Sequence, residues 1–184
     1  MYTNISLYPA LQLFNRLLPC PSPSGREEKL SVLIQEEIKS LGFSPKKDSM
    51  GNLYVEIKGK DPEAPLCLIA AHMDEISVVV NKIEEDGRLR VQNSGGLHYD
   101  KLGERPLEFL GDYENIIAVT SLGSAHTKVK FEKPKTWDDV YVITGLSPEQ
   151  LSKAGIRPGT SGVPVHDQRG MQIFGDPQRP LVAA

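Results

Sequence analysis

The residues best suited to chemistry in this chain stand at positions 72–75, His-Met-Asp-Glu, one residue beyond the apolar run LCLIA at 66–70. A short apolar run opened by a proline, here Pro65, reads as a strand buried on both faces. Side chains alternate along a strand, so His72 and Asp74 are expected on one face and Met73 and Glu75 on the other. An imidazole beside a carboxylate at the end of a strand is a pairing that metal sites use. One ring nitrogen binds the ion while the other donates to the carboxylate that fixes the ring. Sheet ends are also where open α/β folds hold their ligands. Two residues do not define a site, however, and a histidine and an aspartate leaving a core as a strand ends make the same pattern.

The remaining histidines add little. His98 lies in a glycine-rich polar stretch and His126 in a turn after Gly123, both read as solvated loop residues. His166 and Asp167 are adjacent, and neighbours on a strand face opposite ways. Glu84, Glu85 and Asp86 run into Gly87, which is the composition of a solvated turn.

The elements that must position His72 follow from periodicity. Leu7, Leu11, Phe14, Leu17 and Leu18 keep helical spacing up to Pro19, which ends a first helix. Ser24, with Glu27 three residues on, has the form of a capping box for a second helix. That helix carries Leu30, Leu33, Ile34, Ile38 and Leu41 on one stripe and ends at Gly42. Weak strands are expected at 43–47 and 53–57 around the turn at 48–52, before the run leading to His72. Two helices covering a sheet describe part of an α/β sandwich.

Beyond Glu75 short strands follow one another. Segments 76–83 and 89–91 flank Asp86-Gly87, a hairpin signal. Segments 107–110, 115–121, 127–131 and 140–143 read as further strands. Ser147-Pro148-Glu149-Gln150 opens a short capped helix that Gly155 closes. Residues 155–164 are expected as a loop leading to a last strand. The fold class is therefore α/β, with a small β-barrel or sandwich inserted in the chain. The expected division is 1–75, 76–165 and a return strand in 166–184.

Composition narrows the function classes. The chain has 184 residues, 39% hydrophobic and 24% charged, with a formal charge of −3. Without a basic block, nucleic acid and anionic membranes are not expected partners. No stretch has the length of a membrane span or the pattern of a signal peptide, so a cytoplasmic location is expected. Cys20 and Cys67 are too few for a disulfide framework, and Cys67 is expected in the core.

The segment AAHMDEIS at 70–77 resembles the signature of the tetrahedral aminopeptidases, the family of glutamyl and deblocking aminopeptidases in which some members carry an endoglucanase label. The Pro-Ser-Gly turn at 23–25, the Gly-Asn pair at 51–52 and the stretch WDDVYVITG at 137–145 followed by GIRPG at 155–159 extend the resemblance to nearly the whole chain. The resemblance implies a metal-dependent aminopeptidase acting on peptides through a water activated by two divalent ions, zinc or cobalt. His72 would be a metal ligand and Asp74 the catalytic-site carboxylate that orients it. It also implies homo-oligomers built through the inserted domain, dimers assembling into a larger shell. The other ligands of that family follow the inserted domain, so the chain is expected to be one piece of a longer enzyme, inactive alone. A non-catalytic assembly module and one half of a split enzyme are the rival readings. Glycosidase chemistry fits poorly, because Asp74 and Glu75 are adjacent and face opposite ways, whereas paired catalytic carboxylates flank the scissile bond about 5–10 Å apart.

Overall fold

In the computed structural model, which describes residues 9–123 and 136–165 and the backbone of 172–176 and 179–183, the chain divides into two compact units. One comprises Met1–Asp74 with Arg169–Ala184, the other Glu75–Gln168.

The first unit begins with α1 (Pro9–Leu17) and α2 (Glu28–Ser40). Leu30 and Ser31 of α2 are buried, while Leu33, Ile34 and Ile38 are only half-buried. The expected strands shrink to β1 (Lys46–Lys47) and β2 (Leu53–Tyr54), paired antiparallel. The turn between them is held by Asp48, whose carboxylate accepts from the backbone N–H of Met50 and Asn52 and from the Asn52 amide. Segment 65–74 contradicts its reading. It carries no strand, Leu66 and Leu68 are exposed, Ile69 is 92% exposed, and Cys67 is exposed rather than in a core. Burial on both faces is conferred by neighbouring strands. Among the described residues β1 and β2 pair only with each other, a two-stranded piece of the sheet expected beneath the two helices.

The second unit is a closed six-stranded barrel. Its strands are β3 (Ser77–Ile83), β4 (Leu89–Ser94), β5 (Pro106–Phe109), β6 (Ile116–Ser121), β7 (Tyr141–Ile143) and β8 (Ser161–Pro164), in the order β3-β4-β7-β6-β5-β8. Alternation closes it: along β6, Ile116, Ala118 and Thr120 point inward while Ile117 and Val119 point out. Val78, Val80, Leu89, Leu107, Phe109 and Val142 fill the interior, each at most 1% exposed. The hairpin expected at Asp86-Gly87 joins β3 to β4. The one-turn α3 (Tyr99–Leu102) adds Tyr99 and Leu102 to the core, and the Tyr99 ring meets Trp137 edge-on at 5.7 Å. The capped helix forms as α4 (Pro148–Ala154), with reciprocal bonds between Ser147 and Gln150 and Gly155 in the left-handed region.

The loop expected at 155–164 ends instead in β8, which pairs with both β3 and β5 and completes the barrel. Gly162 is needed there because a Cβ would lie 2.6 Å from the Phe109 ring. The last segment forms a hairpin, β9 (Gln172–Asp176) with β10 (Arg179–Ala183), in place of a single return strand. The strand expected at 127–131, and His126 and His166, lie outside the described residues. No helix among the described residues is long and apolar enough to cross a membrane.

Candidate functional site

The site is assembled within the first unit from a turn and a segment distant in sequence. Pro23-Ser24-Gly25-Arg26 closes on itself, the Arg26 N–H donating to the Pro23 carbonyl at 2.9 Å. Gly25 has φ +83° and no non-glycine residue has positive φ among the described residues, which makes this a type II turn. Ser22 and Pro23 beneath it are buried. The expected capping box is not made. Helix α2 starts at Glu28 after an N-cap, Glu27, that makes no side-chain cap bond. The Glu27 carboxylate accepts instead from the Gly25 N–H at 2.7 Å.

Ser24 is thereby released from α2, and its hydroxyl donates to Oδ2 of Asp74. The other oxygen of Asp74, Oδ1, lies 2.9 Å from Nδ1 of His72, and the Asp74 backbone carbonyl lies 2.9 Å from the same nitrogen. A carbonyl oxygen can only accept, so Nδ1 carries the proton and the lone pair of neutral His72 resides on Nε2. The His72 side chain is 83% exposed, leaving Nε2 accessible. The Ser24 hydroxyl and then His72 hold the Asp74 carboxyl below the usual carboxylate range, against partial burial that acts the other way. A cleft of about 470 Å³ adjoins the pair, with Glu27, Ser31, Lys47 and Asn52 among its walls.

The structure therefore brings His72 and Asp74 together without the strand expected to carry them. The position of His98 fits its reading, exposed and immediately before α3. Among the described residues no three His, Cys, Asp or Glu side chains gather in a way that could hold a metal ion. The donor chemistry fits a metal at one point only, Nε2 of His72, with both Asp74 oxygens already engaged. Sequence reading missed Ser24, assigned to a helix cap. The available signal was Gly25 directly after it, since Pro-Ser-Gly is also the pattern of a type II turn with serine at its tip.

Residues 51–173 match the sequence profile of the M42 glutamyl aminopeptidase family. A lysyl aminopeptidase from Pyrococcus furiosus is 31% identical over 156 residues, covering 82% of this chain and 44% of that protein. Aminopeptidase APDkam598 from the archaeon Desulfurococcus kamchatkensis has a similar structure, with a TM-score of 0.76 and 28% identity over 94% of this chain and 46% of that one. The TET1 peptidase of Pyrococcus horikoshii, which can assemble into a tetrahedron or a large octahedral shell, shares the fold with a TM-score of 0.67 at 24% identity, over 89% of this chain and 47% of that one. The chain spans less than half the length of these relatives.

Proposed function

This chain belongs to the M42 glutamyl aminopeptidase family, and on that premise we propose that it supplies a metal ligand and an assembly domain to an aminopeptidase that removes N-terminal residues from peptides. The observation that carries this reading is the pair of Asp74 oxygens, one of them a backbone carbonyl, 2.9 Å from Nδ1 of His72. The ring's Nδ1–H is committed to Asp74 while Nε2 faces solvent, which is how a metal-ligating imidazole is held. His72 would hold one of two divalent ions, zinc or cobalt, and Asp74 would keep the ring oriented. The chemistry such ions supply when bound is polarisation of the scissile carbonyl and activation of water. One imidazole binds a divalent ion weakly and with little selectivity, so the chain by itself is inactive in this reading. The exposed apolar run at 66–70 supports a sheet completed by further strands of a longer chain or a partner.

The barrel's outer face supports self-association. Val119 and Ile143 are directly opposed across β6 and β7 and both are exposed, with Ile117 beside them 62% exposed. Contiguous exposed apolar side chains of this kind mark interaction surfaces. The same face would serve a non-catalytic assembly module, and metal dependence separates the two readings. The test uses the natural protein purified from its source, its intact mass measured beside its hydrolysis of leucine p-nitroanilide and the N-acetylated analogue. Hydrolysis of the free amine alone, abolished by a chelator and restored by zinc or cobalt, is expected. A protein of 20.3 kDa that self-associates without metal and cleaves neither substrate would establish the assembly module instead.

A further inference from the structure

We propose that Ser24 is a positioning residue that fixes the His72 ring through Asp74 and so keeps Nε2 available. The relay itself stands on geometry within the first unit, and only its consequence for a metal rests on the function proposed above. With its side chain 83% exposed, His72 has little packing to hold its ring. Order in such a ring comes from its hydrogen bonds, here those from Nδ1–H to the carbonyl and to Oδ1 of Asp74. A half-buried carboxylate is free to rotate about its own χ angles unless its second oxygen is also held. Ser24 holds that oxygen. The serine is itself restrained, because it sits at the tip of a closed turn whose base, Ser22 and Pro23, is buried. Gly25 makes the turn possible, since its φ of +83° is one that side-chain-bearing residues rarely adopt. A contact across 50 residues of sequence thus ties the first loop to the histidine.

The orientation of the chain of donors is fixed throughout. The serine hydroxyl donates to Oδ2, the imidazole Nδ1–H donates to Oδ1, and both carboxylate oxygens accept. Asp74 therefore acts behind the histidine, and Nε2 is the atom presented outward. Removing the serine hydroxyl frees the carboxylate to turn away from the ring, which leaves Nδ1–H with the Asp74 backbone carbonyl as its one remaining acceptor here and weakens the preference for the Nδ1–H tautomer.

The test compares this chain with Ser24→Ala and Ser24→Thr, each labelled with 15N-histidine, at about pH 8.5, above the ordinary histidine range. Long-range 1H–15N correlations report which ring nitrogen carries the proton, and His98 is the internal control. His72 is expected as the Nδ1–H tautomer in the parent chain, mixed in Ser24→Ala, and restored in Ser24→Thr, with His98 unchanged. Zinc affinity, measured by titration with a competing chelator, is expected to fall about 3–10-fold in Ser24→Ala, less than the about 10–100-fold typical of a partner touching the ligand directly. An unchanged His72 tautomer in Ser24→Ala overturns the proposal, whatever the zinc titration shows. A tautomer that shifts in a chain binding no zinc at His72 supports the relay and contradicts the metal reading. If Ser24→Ala unfolds the first unit, the parent chain decides: a proton–proton Overhauser contact between the β-protons of Ser24 and Asp74 supports the relay, and its absence overturns it.

Discussion

Substituting Gly162 by alanine places one methyl group where the barrel has no room. The added Cβ would stand 2.6, 2.8 and 2.9 Å from three carbons of the Phe109 ring. Phe109 is fully buried and is paired with Gly162 across β5 and β8. The ring is enclosed by the core, so the clash is relieved by a shift of β8 between β3 and β5, the two strands it joins. Overpacking of this kind costs about 1–3 kcal/mol. The φ of Gly162 is not in the left-handed region, so alanine meets no backbone strain and regains about 0.5–1 kcal/mol of strand preference. Three contacts under 3.0 Å to a buried ring put the overpacking cost at the upper end, about 2–3 kcal/mol, so the net loss expected is about 1–2.5 kcal/mol, a fall of about 1 M in urea midpoint for a unit of this size. Trp137 is the only tryptophan and packs against the barrel core, so its fluorescence reports this unit selectively. Phe109→Leu in the same chain should recover part of the loss, a coupling of about 0.5–3 kcal/mol between touching residues. A Gly162→Ala chain as stable as the parent would refute the packing argument for β8.

Tyr99 gives a second test of the barrel. Its hydroxyl is buried without a hydrogen-bond partner among the described residues, so Tyr99→Phe should be neutral or stabilising by up to about 1 kcal/mol. Burial pushes its pKa up to about 12, above the unfolded value of about 10. Its contribution is therefore fully present below about pH 10 and is lost as pH rises towards 12, a limb that Tyr99→Phe should remove from urea midpoints measured against pH. Ile117→Glu with Ile143→Glu should reduce self-association measured by light scattering while leaving the Trp137 unfolding midpoint within about 0.5 kcal/mol of the parent; undiminished association would exclude that face. Leu68→Lys with Ile69→Lys should raise the solubility of the chain, and a parent already monodisperse as a monomer would contradict the idea that the exposed run seeks partners.

What could be read from sequence was local. The hairpin at Asp86-Gly87 and the helix opened by Ser147-Pro148-Glu149-Gln150 are specified by residues that touch one another along the chain, and both are present as expected. Strand β8 escaped notice because Gly162 and Pro164 look like loop residues. It is a strand because β3 and β5 lie on either side of it. The run at 66–70 fails in the opposite sense. Its composition describes a buried strand, but burial belongs to neighbours, and none of the described strands pairs with it. Ser24 shows the same competition at one residue. A local cap three residues from Glu27 was the nearer option, and the turn at Gly25 aimed the hydroxyl at Asp74 instead.

The most direct test is His72→Ala in the natural protein, with bound metal counted by mass spectrometry alongside hydrolysis of leucine p-nitroanilide. The account predicts the loss of one divalent ion per active site and of nearly all turnover, while His98→Ala retains both. Full metal content and activity in His72→Ala would contradict it.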